Sequence, residues 1–148
     1  MKDAGFGVDV RNKKTRIYED GKPPFNATTY GTIAQAIVNI FSSPAQFLNR
    51  DVRIHDFYIN QWDLKAAVEG ETGETYDVEY ADMEKMRDES LANMAQGKVS
   101  MEDMMGLIIY VIFTKRTCAW GTDDDSELVG LPKKDLREEV RKVLKSMH

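Results

Sequence analysis

The sequence predicts a small α/β or α+β fold in which a few strands pack with about five helices, and three observations lead there. Short stretches rich in β-branched and aromatic residues, at 15–18, 52–59 and 76–80, are bounded by turn residues. Between and beyond them apolar side chains recur at helical spacing. With 42% apolar against 30% charged residues, the 148-residue chain holds enough apolar material for one domain with a real core.

The elements follow in order. Residues 15–18 form a strand that runs into Glu19-Asp20-Gly21-Lys22-Pro23-Pro24, where Asp-Gly and paired prolines set a turn and an extended exit. A threonine of Asn26-Ala27-Thr28-Thr29 then caps a helix marked by Ile33, Ile37, Ile40 and Phe41, which ends before Pro44. Burying those four side chains contributes roughly 1.5 to 3 kcal/mol each, so this face is expected against a sheet. Residues 52–59 alternate imperfectly, as in a mid-sheet strand covered on both faces. Asn60 caps a second helix, with Asp63 in its positive first turn, Leu64, Ala67 and Val68 on its inner face, and Gly73 at its end. Tyr76, Val78 and Tyr80 alternate with Asp77 and Glu79, the period of an edge strand with one wet face. Helices are expected at 83–96 and 100–113, separated by Gly97, and at 132–146. The last starts at Pro132, has Asp135 in its first turn, and carries Leu136, Val140, Val143 and Leu144 on one face. A polar loop fills 114–131.

Charge and composition exclude several functions. The net charge of −5 comes from 25 acidic and 20 basic residues, with no basic block, which argues against nucleic acid as a partner. Neither the opening residues nor the apolar run 106–113 is long enough to span a bilayer, so a soluble, cytoplasmic protein with no membrane partner is expected. The single cysteine, Cys118, forms no internal disulfide and no multi-cysteine metal site, which fits a reducing compartment.

No catalytic constellation stands out. Gly5-Phe6-Gly7-Val8-Asp9-Val10 lacks the third small residue of a dinucleotide fingerprint, and Asn12-Lys13-Lys14 read as a loop where a helix should follow. A turn with close backbone approach accounts better for the two glycines. His148 is terminal, so His55 is the one candidate base in the body of the chain; beside Asp56 it suits either a proton relay or a structural strand histidine, the latter being commoner. Asp123-Asp124-Asp125 lacks the alternating ligands and glutamate of a calcium loop and reads as a solvated acidic turn, so no metal is expected. Six of the eight methionines lie between Met83 and Met105 and are expected mostly as core filler. Trp62 and Trp120 suit either ordinary packing or the cap of a small-molecule cleft.

One long stretch carries a resemblance. Residues 6–21, from Phe6-Gly7-Val8-Asp9 to Tyr18-Glu19-Asp20-Gly21, then Pro24-Phe25-Asn26-Ala27-Thr28-Thr29, resemble the central segment of fungal NmrA-like and isoflavone-reductase-like proteins. Thr32-Ile33-Ala34-Gln35-Ala36-Ile37 is similar to the helix that follows there. Ile59-Asn60-Gln61-Trp62-Asp63-Leu64 through Glu69-Gly70-Glu71-Thr72-Gly73 resembles the next helix, and Gly130-Leu131-Pro132 with Asp135-Leu136 the ending.

The resemblance implies a C-terminal, substrate-side part of a Rossmann-related protein, with residues 1–148 as a single domain. In such proteins a glycine-rich turn and a lysine of the hydride-transfer chemistry lie upstream of anything that aligns here. NADP is thus the implied cofactor of the full-length family and none is expected for this chain alone. No catalytic or cofactor-binding residue carries over, and the chain is expected to be inactive by itself. Phe6, Phe25 and Asn26 lie in the segments nearest the substrate cleft, whose implied occupant is a small aromatic or quinone-like metabolite. The alternative is a non-enzymatic NmrA-like regulatory module that binds a protein, and either form, cut from a parent sheet, is expected to oligomerise or to be poorly soluble.

Overall fold

In a computed structural model that describes residues 7–115 and 119–147, an α/β fragment is built from two small strand ladders and helices packed on them. The first ladder has the order β1 (Val8–Asp9), β2 (Lys14–Tyr18), β5 (Asp77–Ala81). β1 and β2 are an antiparallel hairpin with Val8 opposite Thr15, whereas β2 and β5 run parallel with Ile17 opposite Tyr80. The second ladder pairs β3 (Phe25–Ala27) with β4 (Phe57–Ile59), antiparallel.

Turn chemistry places these strands as expected. Gly7 takes φ +95°, and a Cβ there would stand 2.2 Å from the Arg16 carbonyl oxygen, so close backbone approach in the hairpin explains the glycine. Gly21 closes the Asp-Gly turn at φ +71°, its N–H donating to Tyr18 O. Trp62 lies over this turn and donates from Nε1 to Asp20 O at 2.8 Å, a packing role for that tryptophan. Gln61, 1% exposed, takes the place of a neighbouring strand beside β2: its Oε1 accepts from Tyr18 N–H and its Nε2 donates to Arg16 O.

Five α-helices are present among the described residues: α1 (Tyr30–Ser42), α2 (Gln61–Thr72), α3 (Met83–Ala95), α4 (Met101–Tyr110) and α5 (Leu136–Ser146). Thr29 caps α1, Asn60 and Asp63 form a reciprocal capping box on α2, and Gly73 ends α2 at φ +70°, all as the sequence predicts. α2 and α5 clamp Val8 and Tyr76 in one core, while Tyr18, Phe25, Met83, Tyr110 and Phe113 form a second, with Phe113 edge-on to Phe25. A third small core joins Ala36 of α1 to Phe47 and Val129.

Four expectations are corrected. The face of α1 that packs inward carries Thr32 and Ala36, with Ile40 at its margin, whereas Ile33, Ile37 and Phe41 are exposed, Phe41 at 77%. The segment 52–59 is a strand only at Phe57–Ile59, because its earlier backbone bonds instead to Asp125 and Ser126. Helix α5 begins at Leu136 with Asp135 as its cap, since Lys134 reaches back to Thr29; Val143 is exposed while Leu136, Val140 and Leu144 pack. Of the six clustered methionines, Met83 and Met86 serve the core, and Met101 and Met104 are exposed. The expected edge strand is an edge, and β5 carries Tyr80 outward.

Candidate functional site

The loop 119–134 lies across the segment that leads into β4, and His55 and Asp56 of that segment enclose with the loop a cavity of about 620 Å³. His55, Asp56, Asp124, Ser126 and Lys134 form its polar wall, and Leu131 and Pro132 its apolar one. Volumes of several hundred cubic ångströms suit a small organic molecule.

Asp56 fixes the first turn of α1 to β4. Its side chain is 1% exposed, accepts from Thr32 Oγ1 at 2.6 Å and Thr29 N–H at 2.7 Å, and faces Lys134 Nζ at 3.6 Å. Burial pushes the Asp56 carboxyl up, but the bonds from Thr32 and Thr29 and the Lys134 charge outweigh it, so its pKa falls below the ordinary value. The position is favourable for an anion, since the positive end of the α1 dipole lies there. Lys134 Nζ also donates to Thr29 Oγ1 at 2.7 Å, closing a ring of polar contacts.

The acidic run is a solvated turn only at Asp123, which is exposed; Asp124 and Asp125 are partly enclosed and partnered. Asp125 accepts from Arg53 N–H at 3.0 Å and pairs with Arg50; the Arg53 bond, opposed by burial and aided by Arg50, holds its pKa below the usual value. Asp124 accepts from Ser126 N–H at 2.6 Å, and its other oxygen is 3.0 Å from His55 Nδ1. His55 is therefore beside Asp124 as well as next in sequence to Asp56, and the backbone around it is fixed: His55 N–H donates to Ser126 Oγ, which donates to His55 O, both at 3.3 Å.

Of the residues predicted from sequence, Phe6 lies outside the described residues. Phe25 is 2% exposed and belongs to the aromatic core behind β3. Asn26 braces the loop next to the cavity: its Oδ1 accepts from Trp120 N–H at 3.0 Å and its Nδ2 donates to Gly121 O at 2.8 Å. Thr122, next along that loop, lines the cavity. Trp120 is half-buried with its Nε1 enclosed and without an acceptor among the described residues. Lys134 and the pairing of Asp124 with His55 had no sequence signal, because both join segments far apart in the chain.

Comparison with known proteins bears on this arrangement. The crystal structure of isoflavone reductase superposes with a TM-score of 0.67 at 19% identity, over 95% of this chain and 46% of that one. The fold is that of isoflavone reductase, over about half its length. The isoflavone-reductase-like resemblance read from the sequence is thereby borne out, and two fungal proteins agree with it. The oxidoreductase poxI of Penicillium oxalicum is 26% identical over 145 residues, 94% of this chain and 45% of its own, and the oxidoreductase aprR of Aspergillus flavus is 24% identical over 148 residues, 95% and 48%. A nucleoside-diphosphate-sugar epimerase from Staphylococcus aureus has a TM-score of 0.63 at 16% identity, over 85% of this chain and 43% of that one. No family model matches the chain. It spans about half the length of the relatives it matches.

The isoflavone-reductase-like fold raises the question of a nicotinamide cofactor, and the turn at Gly7 does not have the form of a dinucleotide-binding turn. Gly7 leads into the β1–β2 hairpin and not into a helix N-terminus, so no row of free backbone N–H groups is presented to a pyrophosphate there. No helix among the described residues is long and apolar enough to cross a membrane.

Proposed function

We propose that this chain is the substrate-side part of an oxidoreductase of the isoflavone-reductase-like type, acting on a small aromatic or quinone-like metabolite in the cytoplasm. One observation carries the reading: the likeness to fungal oxidoreductases runs over 94% of the chain but only 45% of the relative's length. On this reading NADP is held by the other part of the enzyme, and residues 1–148 alone, as one domain, turn nothing over. The cavity beside α1 is the substrate cleft. Asn26 shapes it by holding the Trp120-Gly121 loop, and Phe25 supports the same strand from the core.

A chimaera tests this. The non-overlapping part of the Penicillium oxalicum oxidoreductase joined to this chain is expected to oxidise NADPH in the presence of a naphthoquinone, whereas the chain alone does not. Turnover by the chain alone, or a folded chimaera without turnover, contradicts the proposal.

A second reading, a non-enzymatic module that binds a protein, is favoured by α1. Its thirteen residues carry no charge and expose Tyr30, Ile33, Ile37 and Phe41 together. It calls for a stable complex whose formation depends on Ile37 and is accompanied by no turnover.

A further inference from the structure

We propose that His55 and Asp124 form a proton-exchanging pair that recognises an acidic oxygen, that of a phenol, enol or hydroxyquinone, on a small planar ligand in the cavity. The inference rests on the reading of that cavity as a substrate cleft and goes beyond it by naming the recognition group and the chemistry it selects.

The geometry sets this histidine apart from one that merely satisfies a neighbour. Both side chains are largely enclosed, His55 at 11% and Asp124 at 13% exposure, with Nδ1 and the carboxylate 3.0 Å apart. Ser126 holds both: its N–H binds the Asp124 carboxylate and its hydroxyl bonds the His55 backbone on either side. The two groups therefore keep their separation without bonding in line, and the enclosed Nδ1 is left short of a full hydrogen bond. Nε2 bonds no group among the described residues, while His55 forms part of the cavity wall. A histidine with one nitrogen against a largely enclosed carboxylate and the other unclaimed is arranged to take up a proton and present it to a ligand.

The other charges at the cavity do not compete for this role. Asp56 is saturated by Thr29 and Thr32, and Lys134 is committed to Asp56 and Thr29. Glu127 and Lys133 stand at the exposed rim with opposite charges. Leu131 and Pro132 supply an apolar wall for a ring. When a ligand arrives as the neutral acid, its O–H bond breaks and the proton goes to Nε2; when it arrives as the anion, Nε2 takes the proton from solvent. In either case an imidazolium lies between two anions, the ligand oxyanion and the Asp124 carboxylate, and bonds to each of them are charge-assisted.

Calorimetry of the whole chain with a hydroxynaphthoquinone, in two buffers of different ionisation heat, reads both binding and proton uptake. Saturable binding with proton uptake is expected, together with movement of the His55 ring nitrogen resonances on complex formation. Naphthoquinone without the hydroxyl, and the His55→Gln variant with the hydroxylated probe, are expected to bind about tenfold more weakly or worse, and Asp124→Asn to lose proton uptake while remaining folded by circular dichroism. Absence of saturable binding, unmoved His55 resonances, or equal affinity for both quinones overturns the pair. Binding of NADPH to the same chain would instead overturn the substrate-half reading and leave the pair standing.

Discussion

Replacing Asp56 with alanine removes the carboxylate that joins β4 to the first turn of α1. Two bonds to a charged acceptor are lost, from Thr32 Oγ1 and Thr29 N–H, and Lys134 is left without its anion. Hydrogen bonds to charged groups are worth about 1.5 to 3 kcal/mol each, so the variant is expected to lose about 3 to 5 kcal/mol. That is a large share of the ~5 to 15 kcal/mol that holds a typical domain together. The sign of the pH dependence follows from the lowered pKa of the folded carboxyl. Its contribution is complete above the ordinary aspartate value and is lost as pH falls through the folded value, so the gap between wild type and variant narrows in acid. Urea unfolding followed by far-ultraviolet circular dichroism, at neutral pH and at several acid values, measures both effects. A loss below about 1 kcal/mol at neutral pH, or a gap that stays constant in acid, would refute the reasoning.

Other perturbations test the fold around the cleft. Gln61→Leu leaves Tyr18 N–H and Arg16 O without their partner and is expected to cost about 2 to 4 kcal/mol by the same urea assay. Gly21→Ala places a methyl 2.6 Å from Trp62 Nε1 and 2.9 Å from Ile17 Cγ2 at a positive φ, so a loss of about 2 kcal/mol is expected, together with a changed near-ultraviolet signal from Trp62. Ile37→Glu changes a side chain that is 51% exposed; stability should move by no more than about 0.5 kcal/mol while sedimentation velocity shows less self-association. A stable monomer before substitution would contradict that last expectation.

Much of the scaffold was legible because local chemistry dictates it. Thr29, Asn60 with Asp63, Gly21 and Gly73 act within a few residues of themselves, and each does what the sequence says. The face of α1 was misread because helical spacing reports where apolar residues lie, not whether a surface is present to cover them; here the inward row carries Thr32 and Ala36. The helix expected from Pro132 starts later because a long-range contact, Lys134 to Thr29, takes precedence over the proline's preference for a first turn. The site was the least legible part. Asp124 and Asp125 read as a solvated turn because nothing nearby in sequence reveals that Arg50, Arg53, His55 and Ser126 are their partners. Gln61 was overlooked for the same reason: a glutamine on a helix gives no local sign that it completes a sheet edge.

On the proposed reading the cofactor is held outside residues 1–148, and the measurement that bears on this most closely is calorimetric titration of NADPH into the purified chain. No heat of binding is expected. Saturable binding in the micromolar range, about −8 kcal/mol, would contradict it and require a cofactor site built differently from any the described residues contain.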